Sequence, residues 1–355
     1  MTAFISLSTL AVALTLIVSG CSDRREGDGV SEVLDNRVAL FGSVPDPCDL
    51  VLAPLASPGD KGHGSSSDVG IARFQQAVLA SNRPVDHFER LGWALVQEGR
   101  ASSDPGFLNL ALQGALCMEK KRPNSLAAML LRGHVLHNLH RFREAETLGR
   151  KLVALRGAWF DYGLLGDALT DQGKLDEAVS AYQSMMDQRP GPQSYSRAAQ
   201  VRWLKGDLVG AIEMMELARG AAAGGDRESA AWMNVRLALY LLQAGNIVGA
   251  EKRAAEALAL QAGYAPALLA QGRILLAKGE VERAGGVLAE AEQISPQPEY
   301  QWTLAEALRA AGREGDADTV EAELARRGER EDRRTYALFL ASTGGDPNPV
   351  MRRSA

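Results

Sequence analysis

The residues best equipped for chemistry crowd into "GHVLHNLHRF", where His134, His137 and His140, three of the chain's five histidines, fall within seven residues. On a helix His134 and His137 stand one turn apart on the same face, a spacing that two imidazoles use to hold a metal ion. A third ligand is needed, and His140 does not supply it. It occupies a slot that glycine fills at equivalent points further along the chain, and His is among the few non-glycine residues that tolerate positive φ. No metal site is expected.

The other reactive groups are equally isolated. Cys21, Cys48 and Cys117 show no Cys-x-x-Cys or Cys/His zinc spacing. Two readings of Cys48 and Cys117 stand: a disulfide formed in an oxidising compartment, or, preferred because Cys117 lies on an apolar helical face, a free Cys acting as a small buried hydrophobe. "GHGSSSDVG", residues 62–70, brings Ser near His without an ordered base. Asp176 and Glu177 adjoin at a helix start, where carboxylates complement the helix dipole. The chain has no His-Glu-x-x-His, no Gly-x-Ser-x-Gly and no phosphate loop ending in Gly-Lys-Ser/Thr. Neither an enzyme nor a cofactor is expected.

With 46% hydrophobic and 23% charged residues in 355, the chain has ordinary globular composition. A net charge of −5 offers no basic field for phosphates, so nucleic acid is not an expected partner. What dominates is repetition. Ala145, Ala178, Ala211, Ala250, Ala284 and Ala317 form a ladder with steps of 33, 33, 39, 34 and 33 residues. Five residues before each stands His140, Gly173, Gly206, Gly245, Gly279 or Gly312. Within one unit, Leu268, Gly272, Leu275 and Leu276 follow helical spacing, Gly279 interrupts, and Val281, Ala284, Leu288 and Ala291 resume it. Each unit therefore reads as two amphipathic helices joined by a tight turn.

At Tyr162, Leu165, Gly166, Leu169, Gly173, Leu175, Ala178, Tyr182 and Pro190 the sequence resembles the tetratricopeptide repeat family. The resemblance implies an all-α fold, a right-handed α-solenoid of about seven stacked helix-turn-helix repeats over residues 71–343; residues 344–355 are expected to be a disordered tail. It also implies that one face of each first helix lines a concave groove for peptides. Those positions here are His134, His137 and Asn138, then Asp167 and Asp171, then Gln200 and Trp203. Trp232, Val235, Leu239 and Leu242 follow, then Leu269, Arg273 and Leu276, then Trp302, Glu306 and Arg309. The groove so drawn is apolar in the middle and polar at its ends, which suits a protein or peptide ligand.

The N-terminus carries a different message. Residues 3–20 are apolar or small without a charge, then Cys21 is followed by "SDRREGDG". This reads as an export signal, residues 1–20, with an uncleaved N-terminal anchor as the alternative reading. Val18, Ser19, Gly20 and Cys21 resemble the bacterial lipoprotein signal, which implies that Cys21 carries lipid and that Ser22 directs the protein to the outer membrane. Residues 21–70, rich in Gly, Ser, Asp and Pro, read as a flexible tether in which the apolar stretches at 38–41 and 50–55 are candidates to dock on the body. The expected protein is a lipid-anchored adaptor in the bacterial cell envelope. Two alternatives are a component that exports or binds envelope polysaccharide, with Trp203, Trp232 and Trp302 stacking on sugars, and a fragment of a larger repeat protein.

Overall fold

The computed structural model describes residues 46–53, 66–81, 84–102, 105–222 and 227–352. The expectations for residues 1–20 and for Cys21 fall outside the described residues, within which all regular structure is helical. The chain forms two compact units that divide between Gln172 and Gly173.

The described part of the N-terminal unit holds α1 (Pro47–Leu52), α2 (Ser66–Leu79), α3 (Pro84–Ser102), α4 (Pro105–Lys121), α5 (Leu126–Asn138), α6 (Phe142–Leu155) and α7 (Trp159–Asp171). From α2 onward each helix packs on the next, and the alternate helices α3, α5 and α7 also touch in sequence. Phe88, Leu91 and Leu95 of α3, Met118 of α4, and Leu131 and Val135 of α5 fill the core. Within the stretch read as tether, residues 47–52 form α1, which packs on α4, and residues from 66 onward begin α2.

Cys48 and Cys117 are joined in a disulfide across 69 residues, with their Cα atoms 4.9 Å apart. This corrects the preference for a free buried thiol. Cys117 is fully buried, as its apolar face suggests, but the group covering it is α1. Over so long a separation the sequence offers the pairing only as one of two readings and does not choose it.

The C-terminal unit continues with α8 (Leu175–Gln188), α9 (Pro192–Leu204), α10 (Leu208–Ala221), α11 (Arg227–Gln243), α12 (Ile247–Leu260), α13 (Ala265–Ala277), α14 (Val281–Ile294), α15 (Pro298–Ala310), α16 (Glu314–Glu331), α17 (Arg333–Thr343) and α18 (Asn348–Arg352). Consecutive helices pack in pairs, the arrangement of an α-solenoid, and the first helices α11, α13, α15 and α17 line up against one another. Residues 348–352 of the stretch expected to be a disordered tail are helical, as α18. Ala178, Ala211, Ala250, Ala284 and Ala317 have no exposed surface. At Gly272 an added Cβ would collide with the Leu288 side chain, so a residue without a side chain lets α13 and α14 approach closely.

One turn geometry recurs between paired helices. Gly206, Gly245, Gly279 and Gly312 have φ of +86°, +76°, +76° and +73°. The residue after each donates its N–H to a carbonyl five residues back: Asp207 to Arg202, Asn246 to Leu241, Glu280 to Leu275 and Arg313 to Leu308, at 2.9 to 3.0 Å. This is the Schellman closure, which satisfies a carbonyl that the helix end leaves without a partner. His140 takes the same place with φ +60°, and Arg141 N–H reaches the Leu136 carbonyl at 2.8 Å. Asp207 and Asn246 then cap the second helices through their side chains, accepting from Gly210 and Gly249 N–H at 2.9 Å.

Candidate partner-binding faces

In the N-terminal unit the positions read as groove lie on α5 and α7. His134 is half-buried and meets the edge of the Trp93 ring, centroids 5.2 Å apart. His137 Nε2 lies 2.7 Å from Asp171 Oδ2, and Asn138 Oδ1 accepts from Arg100 Nε at 3.0 Å. Asp167 is half-buried. These groups bind α3, α5 and α7 into one polar wall. Among the described residues no three His, Cys, Asp or Glu side chains converge as a metal site requires.

In the C-terminal unit the corresponding face has three parts. The first, on α9 and α11, is a closed network. Trp203 Nε1 donates to Gln243 Oε1 at 2.7 Å, and its ring stacks on Tyr240 at 6.0 Å. The Arg236 guanidinium lies 5.7 Å from the Trp203 ring centroid and 5.3 Å from that of Tyr240, while Nη2 donates to Gln200 Oε1 at 2.9 Å. Gln200 and Trp203 thus fasten α9 to α11.

The second part, on α11 and α13, is apolar. Val235 is only 4% exposed, packed with Ala231, Ala257, Ala267 and Ala270. Leu239 rests half-buried on that cluster, and Leu242 on Ala238, Ala250, Ala254 and Ile274. Trp232 differs: it is 40% exposed. Small residues on α13 let α11 settle deeply, so the stripe drawn from sequence is largely consumed by helix–helix packing and Trp232 is left at its rim.

The third part, on α13, α15 and α16, is charged. Arg273 Nη2 donates to Glu299 Oε1 at 2.9 Å and to Thr303 Oγ1 at 3.4 Å. Trp302 bonds to the Glu306 carboxyl and meets the Phe339 ring edge-on at 6.1 Å. Glu306 presents its surface to solvent, yet the protein around its carboxyl is dense enough to raise its pKa above 4.5, against the opposing pull of Arg273 and the Trp302 bond. Arg309 reaches Glu321, Asp318 and Glu314 at 2.6 to 2.9 Å, and these carboxylates push its pKa up further. Burial raises Tyr264 to about 12, with Glu228 adding to it.

Arg236, Tyr240, Gln243, Glu299 and Thr303 were not among the residues singled out from sequence. Arg236 and Thr303 stand at the same position of their units, one step beside the groove stripe, and that coincidence was the signal available.

Residues 164–226 and 235–299 match the family model of the tetratricopeptide repeat. Among solved structures, the APC/C hetero-tetramer Cut9-Hcn1 is similar with a TM-score of 0.56 and 14% identity, over 91% of this chain and 68% of that one. A tetratricopeptide repeat protein from Parabacteroides merdae is similar with a TM-score of 0.52 and 12% identity, over 71% of this chain and 98% of its own. At such identities the likeness concerns the fold. No curated protein sequence is a match. Residues 164–226 and 235–299 carry tetratricopeptide repeats, and that fold suggests a protein–protein interaction scaffold.

Proposed function

We propose that this chain is a lipid-anchored adaptor of the bacterial cell envelope that docks a protein or peptide partner on the first-helix face of its C-terminal unit. The observation that carries the docking face is Trp232, a large ring 40% exposed in the same unit as the Arg273, Trp302, Glu306 and Arg309 side chains. Exposed aromatic anchors flanked by polar groups are the usual centres of binding energy in interfaces. The sugar-stacking alternative draws less support, because Trp203 and Trp302 are engaged with their neighbours and only Trp232 of the three is exposed.

The envelope setting is supported by the apolar stretch ending at Cys21 and by the Cys48–Cys117 disulfide, since disulfides persist in oxidising compartments. Two variants test the two halves of the proposal separately. Cys21→Ser should move the protein from the membrane to the soluble fraction and abolish labelling by a radioactive fatty acid; continued labelling would refute the anchor. Trp232→Ala, shown by circular dichroism to stay folded, should lose one specific envelope protein in a crosslinked pull-down. An unchanged partner set would refute the docking face.

A further inference from the structure

The seat of α1 is built like a peptide groove that the chain fills itself. At six residues α1 is far too short to hold a helix alone in water, so its structure comes from what it rests on. Leu50 and Val51 are 5% and 1% exposed, and Val51 belongs to the cluster containing Ile71 of α2 and Ala111 and Ala115 of α4. Val51 also fits above Gly114, where an added Cβ would lie 3.5 Å from its methyl group. Gln75 Nε2 donates to the Val51 and Ala53 carbonyls at 3.0 and 3.1 Å, which fixes the register of the segment. Asp46 caps α1 through Cys48 N–H and pairs with Lys120 of α4.

The disulfide to Cys117 is the one fastening that a chemical reaction can remove while the others stay. Cys117 has no exposed surface, whereas Cys48 is half-buried, so an entering thiolate meets Cys48. We propose that α1 is a redox-released cover: its seat on α2 and α4 is a helix-docking surface that residues 46–53 occupy in cis. Reduction opens it to a short amphipathic helix of the same chemistry, with an acidic N-terminal residue for Lys120 and two adjacent aliphatic residues for the seat beside Ile71 and Gly114.

The reductant is a dithiol. Its thiolate attacks Cys48 Sγ, the S–S bond breaks, and Cys117 leaves as a thiolate that takes up a proton. The reductant's second thiol then displaces Cys48 as a thiol, and the reductant departs as a disulfide, two electrons having passed to the protein. With the bond closed, a competitor faces a covalently held occupant. With it cut, the competitor faces only a six-residue helix at the effective concentration its own chain provides. This inference is independent of the docking face of the C-terminal unit.

The test uses the full chain, oxidised or treated with dithiothreitol, and follows amide hydrogen exchange. A labelled peptide of residues 46–53 carrying Cys48→Ser serves as the probe in anisotropy titrations. Reduction should speed exchange in residues 46–53 at least tenfold while α5 to α7 keep their protection. The peptide should bind the reduced chain and not the oxidised one, and should bind tighter to a reduced Leu50→Asp, Val51→Asp chain whose own α1 cannot reseat. Unchanged exchange at 46–53 after reduction would overturn the proposal. So would loss of protection through α3 to α7, which makes the bond a structural staple, or equal peptide binding in both redox states.

Discussion

The N-terminal unit fills its core with large side chains, Phe88, Leu91, Leu95, Met118 and Leu131, and adds a disulfide, whereas the C-terminal unit packs along a line of fully buried alanines with glycine turns between its helices. Large residues hold helices through area removed from water, and each is worth several kcal/mol. Alanine and glycine contribute little area of their own but let backbones come close, which aligns the first helices into a continuous wall. The first strategy suits a core held by buried area and the second suits closely spaced helices.

The largest effect expected from breaking this contrast is in the N-terminal core. Phe88→Ala should cost about 3–5 kcal/mol in denaturant unfolding, because a ring only 1% exposed leaves a cavity among rigid neighbours. In the C-terminal unit the sensitive change runs the other way, toward larger residues. Gly272→Ala should cost about 1–3 kcal/mol by forcing the buried Leu288 side chain aside. Gly286→Ala, on the same helical pair with open space around it, should instead stabilise by up to about 1 kcal/mol.

Turn substitutions sharpen the comparison further. His140→Gly should stabilise the N-terminal unit by about 0.5–1 kcal/mol in thermal unfolding, since φ of +60° strains any residue with a Cβ. Gly245→Ala should destabilise the C-terminal unit by about 1 kcal/mol for the same reason. If both changes prove neutral, the Schellman turns are not what sets the helix pairing.

The smallest effect is electrostatic. Glu306 has its pKa raised above 4.5 mainly by desolvation, so the protonated form is favoured in the folded state. Its contribution is fully present below the ordinary value and is lost as pH rises through the folded value, so the ionised group opposes folding at neutral pH. Glu306→Gln should therefore raise the melting temperature slightly at pH 7 and leave it unchanged below pH 4.5. An equal shift at both pH values would assign the change to packing.

The repeat was legible because its physics is local. A helical stripe, a glycine and an alanine at fixed spacing dictate a helix pair wherever they occur, and His140 could be read as a turn from its place in that register alone. The face of the repeat was less legible. Val235 lies on the expected stripe, yet Ala267 and Ala270 of α13 cover it, a packing set by two helices jointly. The Arg236–Gln200–Trp203 network likewise depends on how α9 and α11 meet. The disulfide was legible only as one of two readings, because the six residues of α1 carry no periodic signal strong enough to place them on α4.

The most direct test of the docking claim is a photo-crosslinking amino acid placed in living cells at position 232, on the first-helix face, and in a second strain at position 248, where Val248 is 78% exposed on the second helix of the same pair. Position 232 should crosslink to one protein, and position 248 should give no crosslink to that protein. A crosslink to that protein from 248 with none from 232 would place the interface on the second helices and contradict it.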